Sequence, residues 1–185
     1  MDEKKIKLIN KLTLALGIAL LPPIWAVLSP YIGVETGGVA LICAGLFVAN
    51  GNKRSNAVKI AVGFLLGDLW AFIALWLMES LQFDPNVELY CTLFIMGGIA
   101  VLIGETFPKY IFTPSWLCGW AIGLTIMGPV AAAEIGTLPL QIGAAMLAGV
   151  FYVGIGVDVF QKFLVRRLTL NKKQKQERKI SEWSH

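Results

Sequence analysis

Between Leu12 and Phe163 the chain is an almost unbroken succession of apolar runs, each about as long as a bilayer core is thick. A helix needs about 20 mostly apolar residues to cross hydrocarbon. Six segments meet that demand: Leu12–Tyr31, Ile32–Asn50, Asn56–Met78, Glu88–Phe107, Pro114–Ala133 and Leu138–Phe163. Lipid offers no hydrogen-bond partner, so each run must pair its backbone groups internally, as a helix does. A transmembrane barrel would show short alternating segments instead. Composition agrees. Of 185 residues, 56% are hydrophobic and 15% charged, against about 25% charged in a soluble domain. A soluble core of this size could not hide so much apolar surface. The expected fold class is therefore all-α, an integral membrane bundle of six transmembrane helices.

The charges set the orientation. The 16 Lys and Arg fall in four places. Lys4, Lys5, Lys7 and Lys11 precede the first span, and Lys53, Arg54 and Lys59 surround the turn between the second and third. Lys109 lies between the fourth and fifth, and the remaining eight start at Lys162. The other loops carry only acids: Glu35, then Glu79, Asp84 and Glu88, then Glu134. Basic loops stay in the cytoplasm. Six spans put every basic region on that side, and removing one span would break the alternation. The organisation expected is a cytoplasmic segment 1–11, a transmembrane domain 12–163 and a basic cytoplasmic tail 164–185. The N-terminal run is the first span rather than a cleaved signal, because Pro22, Pro23 and Trp25 stand where small residues would mark a cleavage site.

An internal repeat is expected from matches that keep chain order. Gly17-Ile-Ala-Leu-Leu echoes Gly98-Ile-Ala-Val-Leu, Cys43-Ala-Gly-Leu echoes Ala121-Ile-Gly-Leu, and Phe64-Leu-Leu-Gly echoes Ala145-Met-Leu-Ala-Gly. An odd number of spans per half inverts the second half, giving a 3+3 inverted repeat of the kind common in transporters. The second and fifth spans occupy matching places. Both are bounded by turn formers, Gly37-Gly38 and Asn50-Gly51 for one, Pro114-Ser115 and Gly128-Pro129 for the other. Interrupted segments at matching positions point to a permeation site.

The Gly17…Trp25 span, the Gly38…Ala-Gly-Leu-Phe-Val-Ala49 segment, the Pro114…Gly119…Gly123 segment and the Leu138-Pro139…Gly149 span carry a resemblance. Together they resemble a family of small bacterial inner-membrane proteins catalogued as a domain of unknown function (number ten ninety-seven). The resemblance implies a multi-pass protein of the bacterial inner (plasma) membrane. It implies no activity.

Asp68 is the residue with the most chemical meaning. It sits one residue past the centre of the third span, where an ionised side chain costs about 2.5–3.5 kcal/mol on insertion scales. It must face the bundle interior, be protonated, or line a wet cavity. One reading is a site for a cation, an amine or a coupling proton; the other is a neutral acid bonded to a neighbouring helix. Trp70 lies in mid-span, where it either packs or walls a solute path. Glu105, beside Thr106 and Pro108, reads as an inner-vestibule acid or as an interfacial acid near Lys109. Trp116 and Trp120, four apart, share a helix face and read first as an interfacial belt. Asn50 and Thr125 offer polar side chains to a pore, as does Gln141. The expected pathway set is Asp68, Trp70, Glu105, Trp116, Trp120, Asn50 and Thr125. Asp158 and Lys162 have helix ion-pair spacing and are expected to pair.

Other chemistry finds no footing. Cys43, Cys91 and Cys118 are scattered and His185 is the single histidine, so neither a metal site nor a disulfide framework is expected. There is no Ser/His/Asp set and no phosphate-binding loop, and the loops are too short to hold a catalytic domain. The chain is expected to be no enzyme, to carry no cofactor and to bind no nucleic acid; its basic tail suits anionic lipid headgroups. The expected function is a channel or transporter for a small solute, either a neutral urea-like molecule or a small amine. The rival is a non-transporting assembly or regulatory partner acting through the tail. Six spans wall a pore poorly alone, so a homo-oligomer, dimer or trimer, is expected in the bilayer.

Overall fold

The structure is a computed structural model that describes residues 3–81 and 83–168. The tail expected over 164–185 lies largely outside the described residues. Six helices make up the bundle among them: α1 Glu3–Leu28, α2 Val39–Ala49, α3 Ala57–Leu81, α4 Pro85–Thr106, α5 Thr113–Met127 and α6. Helix α6 begins as Leu138–Leu147, widens to a π-helix over Ala148–Ile155, and runs on to Leu168 as one 31-residue segment. The chain is an all-α membrane helix bundle.

Four helices are long and apolar enough to cross a bilayer, within Lys4–Ile32, Arg54–Leu81, Pro85–Thr106 and Leu138–Leu168. The second and fifth spans are shorter than their apolar runs suggest. Helix α2 has 11 residues and α5 has 15, about 17 and 23 Å at 1.5 Å per residue. Glycine and proline explain both truncations. Before α2, Gly33 takes the left-handed conformation with φ 78° and closes a 3₁₀ turn at Ser29–Ile32, and the chain turns irregularly until Gly38. Helix α5 stops at Met127 because Pro129 has no N–H to continue the ladder. The 5–6 link then folds through a short 3₁₀ turn at Ala132–Glu134. Pro22 and Pro23 sit inside α1 without ending it, as membrane helices tolerate.

The long–short–long order thus occurs twice, and the packing repeats with it. Short α5 lies along α3, and short α2 lies along α6, so each half lends its short helix to the last helix of the other. Glycines make both contacts. Gly67 of α3 meets backbone of Trp116, Gly119 and Trp120, and Gly119 meets backbone of Phe64. On the other side Gly149 of α6 meets Ala40 and Cys43 of α2, and Gly154 meets the Phe47 ring. Small residues let helix backbones approach where lipid supplies no hydrophobic drive between helices. Helices α3 and α6 meet centrally, while α4 flanks α3 and α1 flanks α6.

The ends sort as the charges require. Arg54 bonds Asp158 near the end of α6, Gln161 bonds the Asn10 carbonyl, and the Phe112 amide bonds the Lys59 carbonyl. These contacts gather the four basic regions at one end of the bundle. Helices α3 and α5 start there and run parallel, and α2 and α6 end there.

Candidate functional site

A groove runs between α3 and α6, with a volume of about 560 Å³. Leu65, Asp68, Leu69 and Phe72 line it from α3; Pro139, Leu140, Gly143, Ala144 and Leu147 line it from α6, with Gly136 of the preceding loop at its edge. A second cavity of about 310 Å³ lies nearer the acidic end of the bundle, among Phe72, Leu75, Trp76 and Glu79 of α3 and Gly128, Val130 and Ile135 of the 5–6 link. Phe72 walls both.

Among the described residues, Asp68 is the one ionisable side chain on the groove. It is 6% exposed and sits near the middle of α3, between two glycines that leave it room. A Cβ on Gly123 of α5 would stand 3.4 Å from its Oδ1, and one on Gly143 of α6 would stand 3.7 Å from its Oδ2. Oδ1 is buried and accepts no hydrogen bond. A buried polar atom without a partner carries a desolvation penalty of about 1–3 kcal/mol. Such an atom calls for a ligand, a proton or water to satisfy it. Among the described residues, no three His, Cys, Asp or Glu gather as a metal site would need.

The remaining sequence candidates lie elsewhere. Trp70 points to α4, donating from Nε1 to the Met96 carbonyl at 3.1 Å. Its ring meets Trp116 edge-on, with centroids 5.4 Å apart. Trp116 and Trp120 are 3% and 6% exposed, so they form no interfacial belt. Helix α5 is short and turns that face onto α3, which takes both indoles into the core. Glu105 accepts from the Thr113 hydroxyl at 2.9 Å and ties the end of α4 to the start of α5. Asn50 accepts from Asn56 at 2.8 Å across the turn between α2 and α3. Thr125 bonds the Ala121 carbonyl of its own helix at 2.7 Å and is exposed. Gln141 accepts from the Glu35 amide. Of the seven expected pathway residues, Asp68 alone lines the groove.

Asp158 does meet Lys162, at 2.9 Å, and the same Oδ2 also takes Arg54 at 2.8 Å. Arg54 lies just before α3, so this cluster ties the basic end of α3 to α6. Sequence spacing indicated Lys162; nothing local indicated Arg54, 104 residues away. Gly143 was also missed, since one glycine among many in these helices carries no signal of its own.

No curated protein and no solved structure matches this chain. A family model described as "Protein of unknown function (DUF1097)" matches residues 15–162. The chain belongs to that family.

Proposed function

We propose that this protein moves a small solute across its membrane through the groove between α3 and α6. The observation that carries the reading is Asp68, a buried carboxyl on the wall of a cavity between two repeated halves, with one of its oxygens left without a partner. Burying such a group at mid-membrane has a cost, and a passing solute or proton gives it a use. The cavities support a direction of opening. Both lie toward the Glu79 end, while Arg54, Asp158 and Lys162 bind the opposite end of α3 to α6. This is the arrangement of a carrier tied on its basic side and accessible on its acidic side. Alternating access then amounts to one half rocking on the other about the α3–α6 contact.

The test is solute flux into liposomes containing the purified protein, with urea, methylammonium and benzyltrimethylammonium as probes. Flux above that of empty liposomes is expected. Asp68→Asn should lower it at least tenfold, and Glu105→Gln, which alters an acid away from the groove, should leave it unchanged. No flux of any of the three probes, or an Asp68→Asn variant equal to wild type, would sink the proposal.

A further inference from the structure

We infer that the α3–α6 groove is a binding site for an organic cation with an apolar body, entered sideways from the bilayer. This rests on the transport reading for its location, but it can be tested by binding alone.

The lining selects the class. A urea-like solute carries a carbonyl acceptor as well as N–H donors. With Asp68 ionised, the groove offers a carboxylate acceptor and no side-chain donor to answer that carbonyl, and an unanswered polar group is costly in an apolar site. A bare metal cation needs about six oxygen ligands, and the groove has one carboxyl side chain. An ammonium group with hydrocarbon attached needs one anion and an apolar wall. Asp68 supplies the first. Leu65, Leu69, Phe72, Leu140 and Leu147 supply the second, and Phe72 among them is an aromatic ring of the kind that attracts cations.

Size and access agree with that choice. About 560 Å³ is far more room than methylammonium fills, and it suits a ring or a branched chain. Leu69 and Leu140 on the rim are 53% and 76% exposed, on flanks that lipid covers. An amphiphilic cation dissolved in the bilayer can therefore reach Asp68 without crossing an aqueous channel. Glu79 at the neighbouring cavity adds a second negative group on the acidic side.

The experiment measures binding to the full chain in lipid nanodiscs, against nanodiscs without protein. The probes are benzyltrimethylammonium, its neutral isostere neopentylbenzene, and methylammonium. Benzyltrimethylammonium should bind at least tenfold tighter than either of the others. Asp68→Asn should remove that advantage at least tenfold while leaving neopentylbenzene unchanged. Gly143→Leu, which fills the groove and keeps the carboxyl, should weaken both aromatic probes. Equal affinity for the cation and its neutral isostere, or full cation affinity in Asp68→Asn, overturns the inference. If urea crosses liposomes but benzyltrimethylammonium does not bind, transport stands and this assignment falls. If the cation binds at Asp68 but nothing crosses, the assignment stands and transport falls.

Discussion

Gly67→Ala should destabilise the protein by about 2 kcal/mol, a figure that follows from the backbone it would meet. The new methyl would stand 2.5 Å from the Trp120 nitrogen and 2.7 Å from the Gly119 carbonyl carbon, with the Trp116 carbonyl oxygen closer still. These are main-chain atoms of α5, so no rotamer change removes the clash. Restoring a contact of about 3.5 Å moves α5 by about 1 Å, and a gap of that size forfeits a quarter to a half of the dispersion across it. The contact extends over two turns, from Gly63 beside Ser115 to Ala71 beside Gly123. On the order of 30 atom pairs at about 0.15 kcal/mol each would lose about 1–2 kcal/mol. Overpacking strain brings the total to about 3 kcal/mol. The better helix propensity of alanine returns up to about 1 kcal/mol. Gly98→Ala is the control, since a Cβ there meets nothing within 4 Å; it should be neutral or slightly stabilising. The assay is unfolding by SDS titration from mild detergent, followed by loss of helical circular dichroism. If Gly67→Ala proves as stable as Gly98→Ala, the glycine-mediated contact between α3 and α5 is not what holds the halves together.

Two further outcomes check the basic end and the topology. Arg54→Ala or Lys162→Ala alone should cost about 1 kcal/mol or less, because each leaves Asp158 its other cation and because exposed cations contribute little. The double variant strands a buried carboxyl and should cost more than the sum, which a double-mutant cycle in the same SDS titration would register. In a version lacking its native cysteines, Glu134→Cys should react with a membrane-impermeant maleimide in intact cells. Lys53→Cys should react only after permeabilisation; equal labelling of both in intact cells would contradict six spans.

Much of the fold is legible in the sequence because hydrocarbon imposes simple demands. Helices α1, α3, α4 and α6 follow from runs that lipid forces into helix, and the gathering of the basic regions at one end follows from how Lys and Arg alternate with the spans. The shortness of α2 and α5 is signalled by Gly37-Gly38 and Gly128-Pro129. What those signals do not give is the length of helix left between them. Direction around a helix is harder to see. Apolar residues face lipid and core alike, so no amphipathic stripe shows that Trp116 and Trp120 turn inward. Pairings between distant segments leave no local trace either. Arg54 with Asp158 and Gly143 beside Asp68 exist only once the two halves have packed, and the π-helical stretch at Ala148–Ile155 has no sequence mark.

The repeat itself isolates Asp68. Gly67 and Gly149 do the same work, each seating a short helix borrowed from the other half. The residue after each differs: Asp68 in α3, Val150 in α6, and Val150 is completely buried. Packing therefore asks for an apolar side chain at this position, and the half that carries a carboxyl departs from what its twin needs for stability. Such departures mark residues held for function rather than folding. Asp68→Leu should then raise stability by about 1–3 kcal/mol, the penalty of a buried unsatisfied polar group, while cation binding and flux are lost. A fall in stability instead would mean that Asp68 is a structural partner whose bonds form in the bilayer, and the groove would lose its claim to be a site.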